Sequence, residues 1–133
     1  METVLITGAS SGLGYEFAKL FAEKGYDLVI SARREERLNS FKKSYPNISI
    51  EIIPCDLSLD GGAEYLYNKV MEKNITVNIL INNAGFGLFG EFKETDLKKE
   101  EEMINLNIKA LTGLTKLFLK DMLEKDHGKI LNV

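Results

Sequence analysis

The strongest constraint on this chain is a regular alternation of two kinds of segment. Five short apolar runs, rich in β-branched residues, lie at Val4–Thr7, Leu28–Ser31, Ile48–Ile53, Val77–Ile81 and Ile130–Val133. They are apolar almost throughout, which suits strands covered on both faces, as in a parallel sheet. The longer segments between them carry apolar residues at helical spacing. In Gly12–Lys24, Phe17, Leu20 and Phe21 share one face, and Gly25 is a suitable residue to end the helix. Arg34–Tyr45 places Leu38, Phe41 and Tyr45 together and is stopped by Pro46. Gly62–Asn74 offers Leu66 with Val70 and Tyr67 with Met71, and Leu97–Glu124 aligns Ile104, Leu111, Leu114 and Phe118 as an inward stripe. The order β-α-β-α-β-α-β-α-β, with right-handed crossovers, predicts an α/β fold: a doubly wound parallel sheet with the first strand central, a Rossmann-type arrangement of about five strands. With 133 residues the expected organisation is one domain over 1–133.

In such a sheet, ligands bind beyond the carboxyl ends of the strands, where strand order reverses. The first strand ends there in TGASSGLG, Thr7–Gly14. Gly8 permits a tight exit from the strand, Gly12 lets backbone approach a pyrophosphate, and Gly14 allows close packing of helix on strand. Ser10 and Ser11 add hydroxyls, Leu13 completes the turn, and the new helix offers unpaired N–H groups and a positive dipole end. A nucleotide site is therefore expected from Gly8 to Gly14.

The residues after the second strand bear on which nucleotide. They read Ser31-Ala32-Arg33-Arg34, with no carboxylate before Glu35. An acid there would bind a ribose 2′-hydroxyl and repel a 2′-phosphate, whereas a guanidinium grips a phosphate with paired hydrogen bonds. NADP is thus preferred over NAD, with Arg33 the main anchor and Arg34 or Ser10 assisting. The competing reading of the arginines is a solvated helix start, which describes Arg37 best.

Other classes are excluded or disfavoured. Net charge is −3 with no basic tract, so nucleic acid is a poor partner. One cysteine, Cys55, and one histidine, His127, make neither an internal disulfide nor a thiolate–imidazole metal cluster. Cys55 reads as a small hydrophobe. No apolar stretch approaches membrane-spanning length, and a cytoplasmic protein is expected.

TGASSGLG, NNAG at Asn82–Gly85, Asn107 within INLNIKAL and the terminal GKILNV follow one another at spacings that resemble the short-chain dehydrogenase/reductase family. The resemblance runs along the whole chain and covers about the first half of a typical member. It implies hydride transfer between a nicotinamide and a carbonyl or alcohol. It also implies that Asp56 and Leu57, in PCDLS, bracket the adenine, although a loop cap explains Asp56 nearly as well. It implies that Asn82 supports the sheet while Asn83, Ala84 and Gly85 lie along the adenosine and ribose, and that Asn107 perturbs its helix and holds a water of a proton relay. From the residues alone, Asn107 shares the inward face of Leu111, Leu114 and Phe118, where a buried amide needs either a local kink or a site. Asn105 falls on another face and reads as structural. Phe86–Phe92, FGLFGEF, either lines a substrate pocket or closes the core.

The family also uses a Ser after the GKILNV-type strand and a Tyr and Lys in a YxxxK pattern. Neither follows here. Tyr65 and Lys69 match that pattern by letter but lie on the third helix, where an ordinary surface pair is the better reading. The expectation is a fragment of a longer reductase, silent alone, with an uncovered sheet edge and a tendency to homo-oligomerise, the long helix being a common dimer surface in the family. The alternatives are a non-catalytic NADP-binding or interaction module, and another Rossmann enzyme such as a methyltransferase, which would not explain NNAG.

Overall fold

The structure, a computed structural model, describes residues 1–133. Five parallel strands form one sheet: β1 (Thr3–Thr7), β2 (Asp27–Ser31), β3 (Ile50–Ile52), β4 (Ile79–Asn82) and β5 (Lys129–Asn132), in the spatial order β3-β2-β1-β4-β5. The first strand is central, as the alternation predicts. Register pairs Thr7 with Ser31 and Ile6 with Ile81, bringing the carboxyl ends of β1, β2 and β4 to one edge.

Because side chains alternate across a strand, the sheet feeds two separate cores. Val4, Ile6, Leu28 and Ile30 pack under α1 (Gly12–Glu23) and α2 (Glu35–Lys43), with Leu38 and Phe41. Leu5, Val29 and Leu80 pack on the opposite face under α3 (Gly62–Glu72) and α5 (Leu111–Glu124), with Leu66, Val70, Leu114 and Phe118. Tyr67 on α3 donates to the Asp121 carboxylate of α5 at 2.7 Å, and its ring meets Phe118 edge-on. That carboxylate raises the phenol pKa to about 12, with burial adding to the shift. No helix is long and apolar enough to cross a membrane.

Three expectations are corrected. The third strand is shorter than Ile48–Ile53, spanning only Ile50–Ile52. On α1 the fully buried residues are Gly14, Ala18 and Ala22, while Leu20 is exposed and Phe17 and Phe21 pack only at the margin. The helix lies so close to the sheet that only small residues fit beneath it. Finally, Leu97–Glu124 is not one regular helix. It comprises α4 (Leu97–Ile104), a π-helical segment (Asn105–Ala110) and α5. The wider turn shifts the phase of the side chains between the two halves. Leu114 and Phe118 are buried as expected, but Leu111 is only half-buried and Ile104 and Asn107 are exposed.

Candidate nucleotide-binding site

The carboxyl edge of the sheet is built around Thr7 and the two loops that leave β1 and β4. Thr7 is buried, and its Oγ1 accepts from the backbone N–H groups of Asn83 and Ala84, both at 3.0 Å. Asn83 answers with Nδ2, which donates to the carbonyls of Thr7 and Gly8 at 3.2 Å each. The glycine turn and NNAG are thereby locked into one unit. Thr7 was not singled out by sequence, because a threonine ending a strand is unremarkable there until its partner loop is known.

Asn82 does what the resemblance implies, joining the sheet to its cover. Its Nδ2 donates to Thr115 Oγ1 at 3.0 Å and to Asn132 Oδ1 at 2.8 Å. Gly14 sits below this unit: an added Cβ would lie 2.1 Å from the Gly8 carbonyl oxygen and 2.4 Å from Asn83 Nδ2. Gly8, at φ +63°, is equally confined, since a Cβ would meet Ala84 Cα at 2.9 Å.

Above the unit opens a cavity of about 380 Å³. Its walls bring together every residue expected to contact nucleotide except Gly14, which is its floor support. They are Gly8, Ser10, Ser11, Gly12 and Leu13 from the glycine turn, Arg33 and Arg34 after β2, Asp56 and Leu57 after β3, and Asn83, Ala84 and Gly85 after β4. Leu57 is nevertheless almost wholly buried in the core, so only its edge is offered. Cys55, also in the wall, is half-buried, and burial pushes its thiol up to about 11.

A phosphate-bearing cofactor fits this cradle. Gly12, at φ +57°, has nothing within 4 Å of where a Cβ would stand, so backbone faces open space. The first turn of α1 has no acidic residue, and Ser11 at its N-cap makes no side-chain capping bond, which leaves the leading N–H groups available to an anion. Ser31 Oγ, buried in the cavity wall, has no hydrogen-bond partner. Arg33 and Arg34 are exposed, and neither forms a salt bridge.

Asp56 is a loop cap. Its Oδ1 accepts from Ser58 N at 3.0 Å and Ser58 Oγ at 2.6 Å, a local Asx turn, while Oδ2 makes no hydrogen bond. Asn107 corrects the expectation of a buried amide. It is exposed and clasps the loop after NNAG, donating to the Phe86 carbonyl at 2.8 Å and accepting from Phe86 N at 3.1 Å. The π turn presents it there. Phe89 and Phe92 are exposed and do not close the core. Tyr65 and Lys69 are the expected surface pair, Lys69 lying 5.6 Å over the Tyr65 ring and bridging to Glu72. Arg37 is exposed in the first turn of α2, as its reading as a solvated helix start expects, and its Nη1 also donates to the Ser10 carbonyl at 3.4 Å.

A doubly wound α/β chain with a glycine turn locked to NNAG at its carboxyl edge defines a Rossmann-type frame. The short chain dehydrogenase family model matches residues 2–133, and the chain belongs to that family. An uncharacterized oxidoreductase, DltE, of Bacillus subtilis (strain 168) is 35% identical over 134 residues, 99% of this chain and 52% of that protein. A short-chain dehydrogenase from Sphingobium yanoikuyae in complex with NADPH superposes with a TM-score of 0.90 at 34% identity, covering 99% of this chain and 53% of its own. An alcohol dehydrogenase from the archaeon Thermococcus sibiricus, complexed with 5-hydroxy-NADP, gives 0.90 at 29% identity, covering 99% and 57%. The chain spans about half the length of the proteins it matches.

Proposed function

We propose that this chain is the NADP(H)-binding part of a short-chain oxidoreductase that moves a hydride between a nicotinamide and a carbonyl or alcohol. The observation that carries the reading is the single cavity that gathers the glycine turn, the Arg33–Arg34 pair, Asp56 and NNAG. The NADPH and 5-hydroxy-NADP complexes of the two similar structures support the same cofactor class.

In this reading the backbone from Ser10 to Leu13, at the start of α1, would hold the pyrophosphate. Arg33 would hold the 2′-phosphate with Arg34 and Ser10 assisting, and Arg37 steadies the turn through the Ser10 carbonyl. Asp56 Oδ2 is free to accept from the adenine amine while Oδ1 is held by Ser58. Bound cofactor supplies the hydride. Asn107 keeps the Gly85–Phe86 backbone in place beside the nicotinamide end and is the one relay residue among these 133. The Ser and YxxxK residues of the family pattern do not occur here at their expected places, so this polypeptide tested alone should bind cofactor without turning over substrate. A cytoplasmic location and a homo-oligomer complete the reading; the exposed Leu97, Ile104 and Ile108 along the long helical run support self-association.

Charge reversal is the test. A charge-assisted hydrogen bond contributes about 1.5–3 kcal/mol, so Arg33→Asp should weaken NADPH binding about 10- to 100-fold while NADH affinity holds or rises. Unchanged NADPH affinity would remove Arg33 from the site.

A further inference from the structure

Three consecutive residues of the π segment each do something different at the cavity. Asn105 Nδ2 donates to the Ser58 carbonyl at 3.2 Å. Leu106 contributes to the cavity wall. Asn107 clasps Phe86 with both of its amide atoms. One turn later Lys109 bridges Asp60 at 2.8 Å, and that ion pair lowers the pKa of the carboxyl and raises that of the ammonium. The segment therefore grips the Asp56–Asp60 loop with one set of side chains and the Gly85–Phe86 loop with another. A regular α-helix through this region would place Asn105, Leu106 and Asn107 at a different phase. The π turn is a feature often found where a helix serves a site.

We infer that Asn105 is a positioning residue for the adenine end of the bound nucleotide. It acts through Ser58, because the residue whose carbonyl it holds is the one whose N–H and hydroxyl together fix Asp56 Oδ1. Oδ1 is fixed in this way, Oδ2 makes no hydrogen bond, and Asp56 lines the cavity. Without the Asn105 bond the Ser58–Leu59 peptide is held only by the Leu59 N–H bond to the Asp56 carbonyl at 3.3 Å, and the Asx turn that aims Asp56 loosens with it. Sequence gave Asn105 no such role, since Ser58 lies 47 residues away.

The inference rests on the nucleotide reading above, and the experiment separates the two. Adenosine 2′,5′-bisphosphate is titrated into the full chain and into Asn105→Ala, Asn105→Asp, Asp56→Ala and the Asn105→Ala/Asp56→Ala double variant. Thermal melting of each is recorded alongside. Asn105→Asp keeps the size of the side chain and removes the donor, so it covers the case in which the alanine variant fails to fold. Loss of one oriented hydrogen bond should weaken binding about 3- to 10-fold in either single Asn105 variant. In the Asp56→Ala background, removing Asn105 should change affinity by less than about 2-fold, because residues acting through one another are not additive. Equal losses in both backgrounds, or unchanged affinity in both Asn105 variants, would overturn the positioning role while leaving the nucleotide reading intact. Failure of the parent chain to bind the bisphosphate would instead refute the nucleotide reading.

Discussion

Replacing Gly14 with alanine tests the packing on which the whole site stands. The added methyl would lie 2.1 Å from the Gly8 carbonyl oxygen, more than an ångström inside the 3.4 Å at which ordinary van der Waals contact begins. That oxygen is backbone and cannot swing aside, so α1 must lift from the sheet or the turn must move. Such overpacking costs about 1–3 kcal/mol. The same methyl would sit 2.4 Å from Asn83 Nδ2, the donor of two of the four bonds that tie NNAG to Thr7 and Gly8. Losing those two bonds adds about 0.5–1.5 kcal/mol each. A total of about 2–6 kcal/mol is a large part of a domain's stability and should lower Tm by roughly 10 °C or more. Gly12→Ala is the informative contrast. It meets no neighbour, so its stability loss is confined to the left-handed backbone, about 1–2 kcal/mol, but its methyl projects into the phosphate space. Gly61→Ala carries the same backbone cost at φ +76° away from the turn and should leave binding untouched. Melting curves and NADPH titrations of the three variants form the assay. The reasoning is refuted if Gly14→Ala melts within about 2 °C of the parent, or if Gly12→Ala binds NADPH as tightly as the parent.

Other perturbations follow from the same contacts. Tyr67→Phe removes the bond to Asp121 and should cost about 1 kcal/mol in denaturant unfolding with NADPH affinity unchanged; a larger loss of affinity than of stability would contradict it. In the parent, ultraviolet titration should show one tyrosine ionising only near pH 12, where the Asp121 carboxylate holds it, and Asp121→Asn should bring that transition down. Cys55 should be slow to alkylate at neutral pH and react faster as pH approaches about 11, with NADPH slowing the reaction further. The folded thiol keeps its proton above the ordinary thiol pKa, so its contribution to stability is present below that ordinary value and is lost as pH rises toward about 11. Rapid alkylation at pH 7 would show that the thiol is not held as described.

The architecture was legible because it rests on composition at two length scales: apolar β-branched runs for the strands and helical spacing between them. The glycine turn was legible because Gly8 and Gly14 face close backbone contacts and Gly8 and Gly12 take a left-handed backbone, demands that glycine alone meets cheaply. What remained hidden depends on hydrogen-bond register and on distant partners. Apolar periodicity carries no mark of a π turn, so Ile104 and Asn107 were placed on a face they do not occupy. The close seating of α1 hid behind its larger residues, Phe17, Leu20 and Phe21, when Gly14, Ala18 and Ala22 were the informative ones. Thr7, Arg37 and Asn105 each act on a loop far away in sequence, and nothing local distinguishes them from an ordinary strand end, a surface cation and a helix amide.

The most direct measurement is calorimetric titration of the chain with NADPH and, separately, NADH. One saturable site should appear for NADPH, with NADH weaker by about 10-fold or more, the value of a single charged contact to the 2′-phosphate. Absence of saturable binding by either nucleotide, or tighter binding of NADH, would contradict the account.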